Sequence, residues 1–346
     1  MNYNKASTGF LIFIFIILLS CSDQNAEVPY ISEQEQNYII ETAKSYLDSL
    51  PVTVTASISE RSEGGPHDFY SEGDYWWPDP ENPDGPYIRR DGQTNPDNFV
   101  AHRLAMIRLS RIVGMETSAY LLTGDEKFAQ AVADHLNAWF VQPETKMNPS
   151  LNYAQAIKGR VTGRGIGIID AIHLIEVARS VEILEQNNAI PEETIVGTKQ
   201  WFDEFVNWLT TSEYGQDEMN TKNNHATCWV MQVGAFARLT ENEEVLNLCR
   251  NRFKNILLPN QMGADGSFPL ELERTKPYGY SLFNLDAFMT AAEILSDENH
   301  NLYQFETSDG KNLEWGAEFM YPYVKDKSEW PYEPDVMYWE EWPVRH

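Results

Sequence analysis

An amide and an imidazole stand side by side at Asn224 and His225, just ahead of apolar residues that recur at helical spacing, Trp229, Val233 and Phe236. The spacing predicts a helix, and Asn224 suits its N-cap, where a side-chain oxygen accepts a free backbone N–H. The positive end of a helix dipole disfavours an imidazolium ion and attracts an anion. We therefore predict an anion-binding site that contains a neutral histidine. A plain helix cap beside a half-buried structural histidine is the alternative.

A guanidinium and a phenol lie close together in sequence at Arg274 and Tyr280, in a segment shaped by glycine and proline. A nearby cation makes a phenol easier to ionise, and an ionised phenol can act as a base. Arg274 can also pair with Glu271 or Glu273, which would leave Tyr280 as a packing residue.

A basic, glycine-rich turn at residues 153–167 contains Gln155, Lys158, Arg160 and Arg164. It lacks the spacing of a phosphate-binding P-loop, and a carboxylate is an equally suitable ligand for its arginines. A further, less specific group that can equally cap the following helix comprises Asn98, His102 and Arg103.

These side chains together supply what β-elimination from a uronic acid requires. The C5 proton of a uronate is a poor acid while the carboxylate is charged, so that charge must first be neutralised, here by Asn224, His225 and Arg274. Tyr280 can then remove the C5 proton and protonate the O4 leaving group when both lie on one face of the sugar. This chemistry requires neither a metal nor a cofactor.

The chain is strongly acidic, with a formal net charge of −26. Such a charge argues against nucleic acid as a partner and against a polybasic membrane patch, because both require a positive surface. It would also repel a polyanionic substrate, so a site for one must be locally basic. The arginine and lysine clusters above meet that condition.

The N-terminus carries Lys5, an apolar run over residues 9–19 and the sequence Leu-Leu-Ser-Cys that ends at Cys21. The run is too short to span a bilayer and has the flanks of an export signal, and its end resembles a bacterial lipoprotein cleavage box. We predict a signal peptide at residues 1–21, lipidation of Cys21 and a polar tether at residues 22–33. The protein would then be exported and lipid-anchored, in the periplasm or at the outer membrane. An ordinary signal peptide or a buried N-terminal helix is the alternative.

A Gly- and Pro-rich stretch at residues 51–98, here called the aromatic loop, follows a predicted helix at residues 33–50. Its many aromatic residues argue against disorder. Aromatic rings bind the apolar faces of sugars, so Trp76 and Trp77 are predicted substrate contacts, together with Gln155, Arg160 and Arg164. Rings that only anchor the loop are the alternative.

Beyond Asn98 the apolar residues recur almost everywhere at helical spacing, although short strands at residues 267–272 and near the C-terminus remain open. His135 and His173 lie inside helical stripes and are predicted to be structural, and Cys228 and Cys249 are predicted to be buried thiols. The pattern predicts one all-α domain over residues 34–346, an array of antiparallel helical hairpins that closes into an (α/α) barrel. The aromatic segment at residues 329–343 is predicted to pack back on it.

Several motifs together resemble the alginate lyase superfamily of helical-toroid polysaccharide lyases. They are Asn-Asn-His at residues 223–225, Glu-Leu-Glu-Arg at 271–274 followed by Tyr280, Tyr-Ala-Gln-Ala-Ile at 153–157, Gly-Arg-Gly-Ile-Gly-Ile-Ile-Asp at 163–170, Tyr-Trp-Trp-Pro-Asp-Pro at 75–80 and Asp-Val-Met-Tyr-Trp-Glu at 335–340. The resemblance spans most of residues 65–345 and implies an incomplete (α/α) toroid with a long aromatic N-terminal loop. It also implies that Asn224 and His225 neutralise the carboxylate, that Arg274 stabilises charge and that Tyr280 is the acid and base.

The segment from Arg274 to Tyr280 is a residue shorter than in the best-known mannuronate-specific members, and it contains Pro277. Tyr278 therefore remains an alternative base or a substrate contact, and glucuronan remains an alternative to alginate. We predict a lyase that acts on an anionic, 1,4-linked uronate polymer.

Two rival hypotheses keep part of this pattern. A glycoside hydrolase on a helical barrel would need two facing carboxylates, for which Asp265 with Glu271, or Asp74 with Asp79, are the available pairs. A non-catalytic glycan-binding lipoprotein would keep the aromatic loop and would not need the Asn, His, Arg and Tyr set.

Overall fold

The computed structural model describes residues 31–340, and within that range the chain is mostly helical, as predicted. Its helices are α1 (Glu33–Tyr46), α2 (Ala101–Thr123), α3 (Glu126–Leu136), α4 (Leu174–Gln186), α5 (Glu192–Thr211), α6 (Glu213–Met219), α7 (Asn224–Leu239), α8 (Glu243–Arg252), α9 (Leu258–Gln261), α10 (Pro269–Leu272), α11 (Pro277–Leu295) and α12 (Leu313–Lys325). Its strands are β1 (Tyr70–Glu72), β2 (Trp76–Trp77), β3 (Ile88–Arg89) and β4 (Tyr153–Ala156). The predicted signal peptide, Cys21 and most of the tether lie outside the described residues.

Helix α1 begins where Ser32 and Glu35 form a capping box. The Ser32 hydroxyl accepts the Glu35 N–H, and the Glu35 carboxylate accepts the Ser32 N–H in return. The helix ends at Tyr46, earlier than the predicted limit at residue 50. Its buried face, Ile39 and Ala43, packs against α2.

Helix α7 is central to the core and packs against α4, α5, α8 and α11. Trp229, Val233 and Phe236 are fully buried along it, which confirms the helix predicted from their spacing. Cys228 of α7 and Cys249 of α8 are buried free thiols, as predicted.

In the described part of the chain, four short strands lie where the sequence predicted only loop or turn. β2 pairs antiparallel with β3 inside the aromatic loop, with Trp76 opposite Arg89. β1 pairs in parallel with β4, which connects the aromatic loop to the basic turn. At residues 267–272 the structure has helix α10 in place of a strand, because Pro269 stands at a first helical position, where its missing N–H is not needed.

The C-terminal segment packs back on the domain up to residue 340, as predicted. Asp335 accepts hydrogen bonds from the N–H groups of Tyr278 and Gly279, at 3.0 and 2.9 Å, and so caps the first turn of α11. Trp330 and Trp339 both contact the Tyr278 ring edge to face. Residues 341–343 lie outside the described range.

Both histidines that were predicted to be structural are disfavoured as cations. Desolvation lowers the pKa of His135 to about 4 and that of His173 to about 4. Across residues 31–340, no helix combines the length and the apolar character needed to cross a membrane. The same residues contain no group of three or more His, Cys, Asp or Glu side chains that could hold a metal ion.

Glu116 of α2 is a fully buried acid outside the predicted site. Within the described part of the chain, neither of its carboxyl oxygens has a hydrogen-bond partner. Burial, with a smaller contribution from Asp134 of α3, raises its pKa to about 8. The folded state therefore keeps a proton that the unfolded chain releases above its ordinary pKa of 4.5.

We expect this acid to make stability fall as the pH rises. Its contribution is complete below the unfolded pKa and is lost as the pH rises through about 8. Glu116→Gln, which mimics the protonated acid, should match the wild type at pH 5 and exceed its melting temperature at pH 9. Melting curves measured across this range test the expectation, and parallel curves for the two proteins would contradict it.

Candidate active site

Helix α7 begins with Asn223 as its N-cap and Asn224 as its first residue, so the prediction that Asn224 is the cap is wrong. Asn224 instead donates from its backbone N–H to Glu271 Oε1 at 2.7 Å and from Nδ2 to Glu271 Oε2 at 2.6 Å. Both side chains are almost fully buried, and burial raises the pKa of Glu271. The Glu271 carboxyl group thus fixes the orientation of the Asn224 amide.

A second buried carboxyl group holds His225. The Nδ1 atom lies 2.7 Å from Oε1 of Glu218, whose side chain is fully buried, whereas 18% of the His225 side chain is exposed. Burial raises the pKa of Glu218, and the interaction with His225 opposes that shift. When the Glu218 carboxyl group, whose protonated form burial favours, donates to Nδ1, the neutral ring carries its own proton on Nε2 and can donate it to a ligand.

The guanidinium of Arg274 lies over the ring of Tyr280, 4.7 Å from its centroid. The Tyr280 hydroxyl is 2.5 Å from the hydroxyl of Tyr75, which belongs to the aromatic loop. Burial raises the pKa of Tyr280, Tyr75 raises it further, and Arg274 lowers it. Arg274 therefore stabilises the ionised phenol that burial disfavours.

Glu271 connects the two halves of this cluster. It bonds to Asn224 and acts electrostatically on both His225 and Arg274. Arg274 forms its ion pair with Asp91, with 3.0 Å between Nη2 and Oδ1. The sequence had left open a pairing with Glu271 or Glu273 instead. The structure thus brings together the four residues predicted to carry the chemistry.

A hydrogen-bond network fixes Gln155 in β4. Its Nε2 donates to Asp170 at 3.0 Å, and its Oε1 accepts from Arg164 at 2.9 Å. Its N–H donates to Ser71 Oγ at 2.8 Å. The backbone φ of Gln155 is 50°; such a left-handed conformation costs a non-glycine residue about 1–3 kcal/mol. Asp170 and Arg164 also act electrostatically on Glu218, so the network adjoins the start of α7.

Guanidinium groups cover the predicted tryptophan contacts. Arg160 and Arg164 lie 5.1 and 6.0 Å from the centroid of Trp76, and Arg90 lies 4.9 Å from that of Trp77. Desolvation lowers the pKa of Arg164 to about 10. These cations form a locally basic region in an otherwise acidic chain, as a site for a polyanion requires.

Tyr278 does not join this cluster. It is 2% exposed, and its hydroxyl lies 3.4 Å from the backbone oxygen of Tyr323. Residues two apart on a helix do not share a face, so Tyr278 points into the core when Tyr280 meets Arg274. The geometry favours Tyr280 as the phenol of the site.

The carboxylate pairs that a glycoside hydrolase would use are engaged elsewhere. Both Glu271 oxygens accept from Asn224, and Asp265 is exposed and caps its own turn. Asp74 pairs with Arg103 at 2.7 Å. This arrangement gives the hydrolase hypothesis no support.

Five residues that contact or adjoin the cluster were not among the predicted site residues: Tyr75, Asp91, Asp170, Glu218 and Glu271. Tyr75 and Asp170 lie inside motifs that carry the family resemblance, and their polar groups were a usable signal. Nothing in the local sequence distinguishes Asp91 or Glu218 from the other carboxylates of this acidic chain, so only the fold reveals them.

Comparisons with known proteins show the family to which this chain belongs. The family model described as alginate lyase matches residues 53–330. The crystal structure of an alginate lyase from Bacteroides ovatus is 36% identical to this chain, with a TM-score of 0.83, and the match covers 88% of this chain and 81% of that one. A search of curated proteins finds no match.

Solved structures at lower identity share the fold alone. Alginate lyase A1-III from Sphingomonas species A1 is 13% identical with a TM-score of 0.52, covering 84% of this chain and 77% of that one. A variant of alginate lyase A1-III in complex with a tetrasaccharide is 12% identical with a TM-score of 0.56, covering 85% and 77%.

The helical fold and these matches define the protein as a polysaccharide lyase. The chain belongs to the alginate lyase family. Membership of this family implies an anionic polysaccharide as the substrate. The resemblance stated from the motifs is thereby confirmed.

We expect Glu271→Gln to lower both stability and activity. A glutamine presents one amide NH2 to the two donors of Asn224, so a buried donor loses its acceptor, which costs about 1–3 kcal/mol of unfolding free energy. Denaturant unfolding and initial rates test this, with Glu273→Gln, an exposed neighbour, as the control. Equal losses in the two variants would contradict the orienting role of Glu271.

Proposed function

We propose that this protein cleaves a 1,4-linked uronate polymer by metal-independent β-elimination and leaves a 4,5-unsaturated uronate at the new non-reducing end. The observation that carries the proposal is the guanidinium of Arg274 over the Tyr280 ring, 4.7 Å from its centroid, in a cluster that also holds Asn224 and His225. A phenol beside a cation and an amide–imidazole pair at a helix N-terminus match the two requirements of the reaction, a base and a carboxylate receptor.

The proposed first step neutralises the substrate carboxylate. The Asn224 amide and His225, each held by a buried glutamate, bind the carboxylate at the N-terminus of α7, where the helix dipole favours an anion. Neutralisation makes the C5 proton more acidic, because the charge that develops on proton loss can spread into the carboxyl group.

Tyr280 then serves as both base and acid. Its phenolate, stabilised by Arg274, removes the C5 proton, and the electrons form the C4–C5 double bond as the C4–O4 bond breaks. The phenol returns the proton to the leaving O4 when both lie on the same face of the sugar. No oxidant, reductant or cofactor is needed for the balance.

Alginate is the first substrate to test, and glucuronan is the second. The match at 36% identity to an alginate lyase from Bacteroides ovatus supports alginate. The short segment between Arg274 and Tyr280, with buried Pro277 in it, is the reason to keep glucuronan. We propose Trp76, Trp77, Gln155, Arg160 and Arg164 as substrate contacts on the basis of their locally basic, aromatic setting.

We further propose that the helices form an incomplete (α/α) toroid and that Cys21 carries a lipid anchor. The successive packing of α2 on α4, α4 on α7 and α7 on α11 supports the toroid. The Leu-Leu-Ser-Cys sequence supports export and anchoring in the periplasm or at the outer membrane. Fatty-acid labelling of the full chain, abolished in Cys21→Ser, tests the anchor, and an unlabelled wild type would overturn it.

The experiment follows the ultraviolet absorbance of unsaturated uronate while chelator-treated protein meets polymannuronate, polyguluronate and glucuronan in parallel. A rise with one polymer would support the proposal and identify the substrate. New reducing ends without absorbance would overturn elimination in favour of hydrolysis. Binding without either signal would leave a glycan-binding protein.

A further inference from the structure

The carboxylate of Asp91, in the aromatic loop, stands between two guanidinium groups. Arg274 donates to it from Nη2 at 3.0 Å and from Nε at 3.3 Å, and Arg89 donates from Nη2 at 2.5 Å. The Thr275 hydroxyl donates to the same carboxylate at 3.0 Å. Three neighbouring side chains therefore donate hydrogen bonds to Asp91. One of them is Arg274, the catalytic arginine of the proposed function, which Asp91 holds in place.

The backbone next to Asp91 is seated tightly on the same segment. Gly92 has a φ of 74°, and a Cβ added there would lie 2.8 Å from Val336 Cγ2, so only glycine fits without displacing its neighbour. The Val336 N–H in turn donates to the backbone carbonyl oxygen of Thr275 at 3.1 Å. The position of Asp91 is thus set by close packing and does not depend on its ion pairs alone.

The charge of Asp91 is present at any working pH. Partial burial raises its pKa, but the hydrogen bonds and charges of Arg274 and Arg89 outweigh that effect and hold the pKa at about 2. The side chain is 22% exposed, close to the 23% of Arg274, so both groups are largely withdrawn from water. Such a pair is screened less than a surface ion pair.

We propose that Asp91 is a positioning residue for the elimination reaction, holding Arg274 against the face of Tyr280. The inference rests on the proposed function of Tyr280 as the base. Asp91 is the anion between two cations, and without it Arg89 and Arg274 repel each other at short range. Arg274 then leaves the ring face, and the phenolate loses its stabilising cation.

The pH dependence of the reaction reports this role. The strongest titratable and charged influences on Tyr280 come from Tyr75 and Asp91 of the aromatic loop and from Arg274 of its own segment. Lys276 lies 5.3 Å from the centroid of the Tyr75 ring. Loss of Arg274 from the ring face raises the pKa of Tyr280, whereas loss of the Asp91 charge alone lowers it. The direction of the shift therefore separates positioning from a simple charge effect.

The test is a double-mutant cycle of Asp91→Asn and Arg274→Ala on the polymer that the wild type cleaves, with Asp84→Asn, an exposed carboxylate of the same loop, as the control. We expect Asp91→Asn to lower kcat by about tenfold or more with a smaller change in KM, and to have no further effect once Arg274 is alanine. The ascending limb of its pH–rate profile, which reports ionisation of the Tyr280 phenol to the base, should move to higher pH. Asp91→Glu should restore part of the activity, and Asp84→Asn should behave as the wild type.

Additive losses in the cycle would overturn the inference, and so would a limb that is unmoved or shifted to lower pH. Circular dichroism and melting curves show whether each variant is folded, and an unfolded Asp91→Asn is replaced in the cycle by Asp91→Glu. A wild type that makes no unsaturated product overturns the proposed function itself. A wild type that makes it while the cycle is additive overturns only the role of Asp91.

Discussion

Tyr280→Phe is expected to lose nearly all lyase activity while keeping its fold. The ring that packs beneath Arg274 remains, so only the hydroxyl that exchanges protons is removed. Positioned acid–base groups contribute about 10²–10⁴-fold to rate, and here one phenol serves both proton transfers. We therefore expect kcat to fall by about 10³-fold or more, measured from the absorbance of the unsaturated product.

The control is Tyr278→Phe. Among residues 31–340, its hydroxyl makes one long contact, 3.4 Å to the backbone oxygen of Tyr323, in a buried aromatic cluster away from Arg274. We expect activity within a few-fold of the wild type. The opposite outcome, in which Tyr278→Phe is inactive and Tyr280→Phe is active, would transfer the base to Tyr278.

His225→Ala is the second large effect. The imidazole is held at the start of α7 by Glu218 and is proposed to receive the substrate carboxylate. Removal of one preorganised hydrogen-bond donor from a developing charge lowers the rate of an enzyme about 10²–10³-fold. We expect kcat/KM to fall by about that factor. The loss should be at least as large in kcat as in KM, because the neutralised carboxylate matters most in the transition state.

The matched control for the histidine is His300→Ala. His300 lies in a turn after α11, where its ring bonds to Asp297. We expect unchanged activity there. Activity in His225→Ala within threefold of the wild type would contradict a role for the imidazole in binding the carboxylate.

Local signals made the central residues predictable. Asn224 next to His225, and Arg274 near Tyr280, each combine within a short segment the residue types that the chemistry needs. Their partners come from far along the chain: the Asn224 to Glu271 bond spans 47 residues and the Tyr75 to Tyr280 bond spans 205. No local pattern reports such contacts, so the orienting glutamates and the contribution of Tyr75 required the structure.

The error at the start of α7 has a tertiary cause. Asparagine is a favourable N-cap, and both Asn223 and Asn224 satisfy that local preference. The buried carboxyl group of Glu271 binds the amide and the N–H of Asn224, which places Asn224 one position inside the helix. A tertiary contact thus decides between two positions that local preference treats alike.

Helices were predicted well because apolar stripes such as Trp229, Val233 and Phe236 repeat over several turns. Strands β2 and β3 were not predicted because each has two residues, too few to show an alternation of apolar and polar side chains. Their pairing depends on the turn between them, which returns Arg89 opposite Trp76. Sequence periodicity therefore predicts the scaffold, while the short elements that shape the site depend on contacts within the fold.

The most direct test of the central claim is the mass spectrum of the oligosaccharides that the chelator-treated wild type releases from its uronate polymer. Elimination breaks the C4–O4 bond without adding water, so every internal product should weigh one water less than the saturated oligosaccharide of the same length. Tyr280→Phe should release none of these products at the same enzyme concentration. Internal products of full, saturated mass would contradict β-elimination and would show that the protein hydrolyses its substrate.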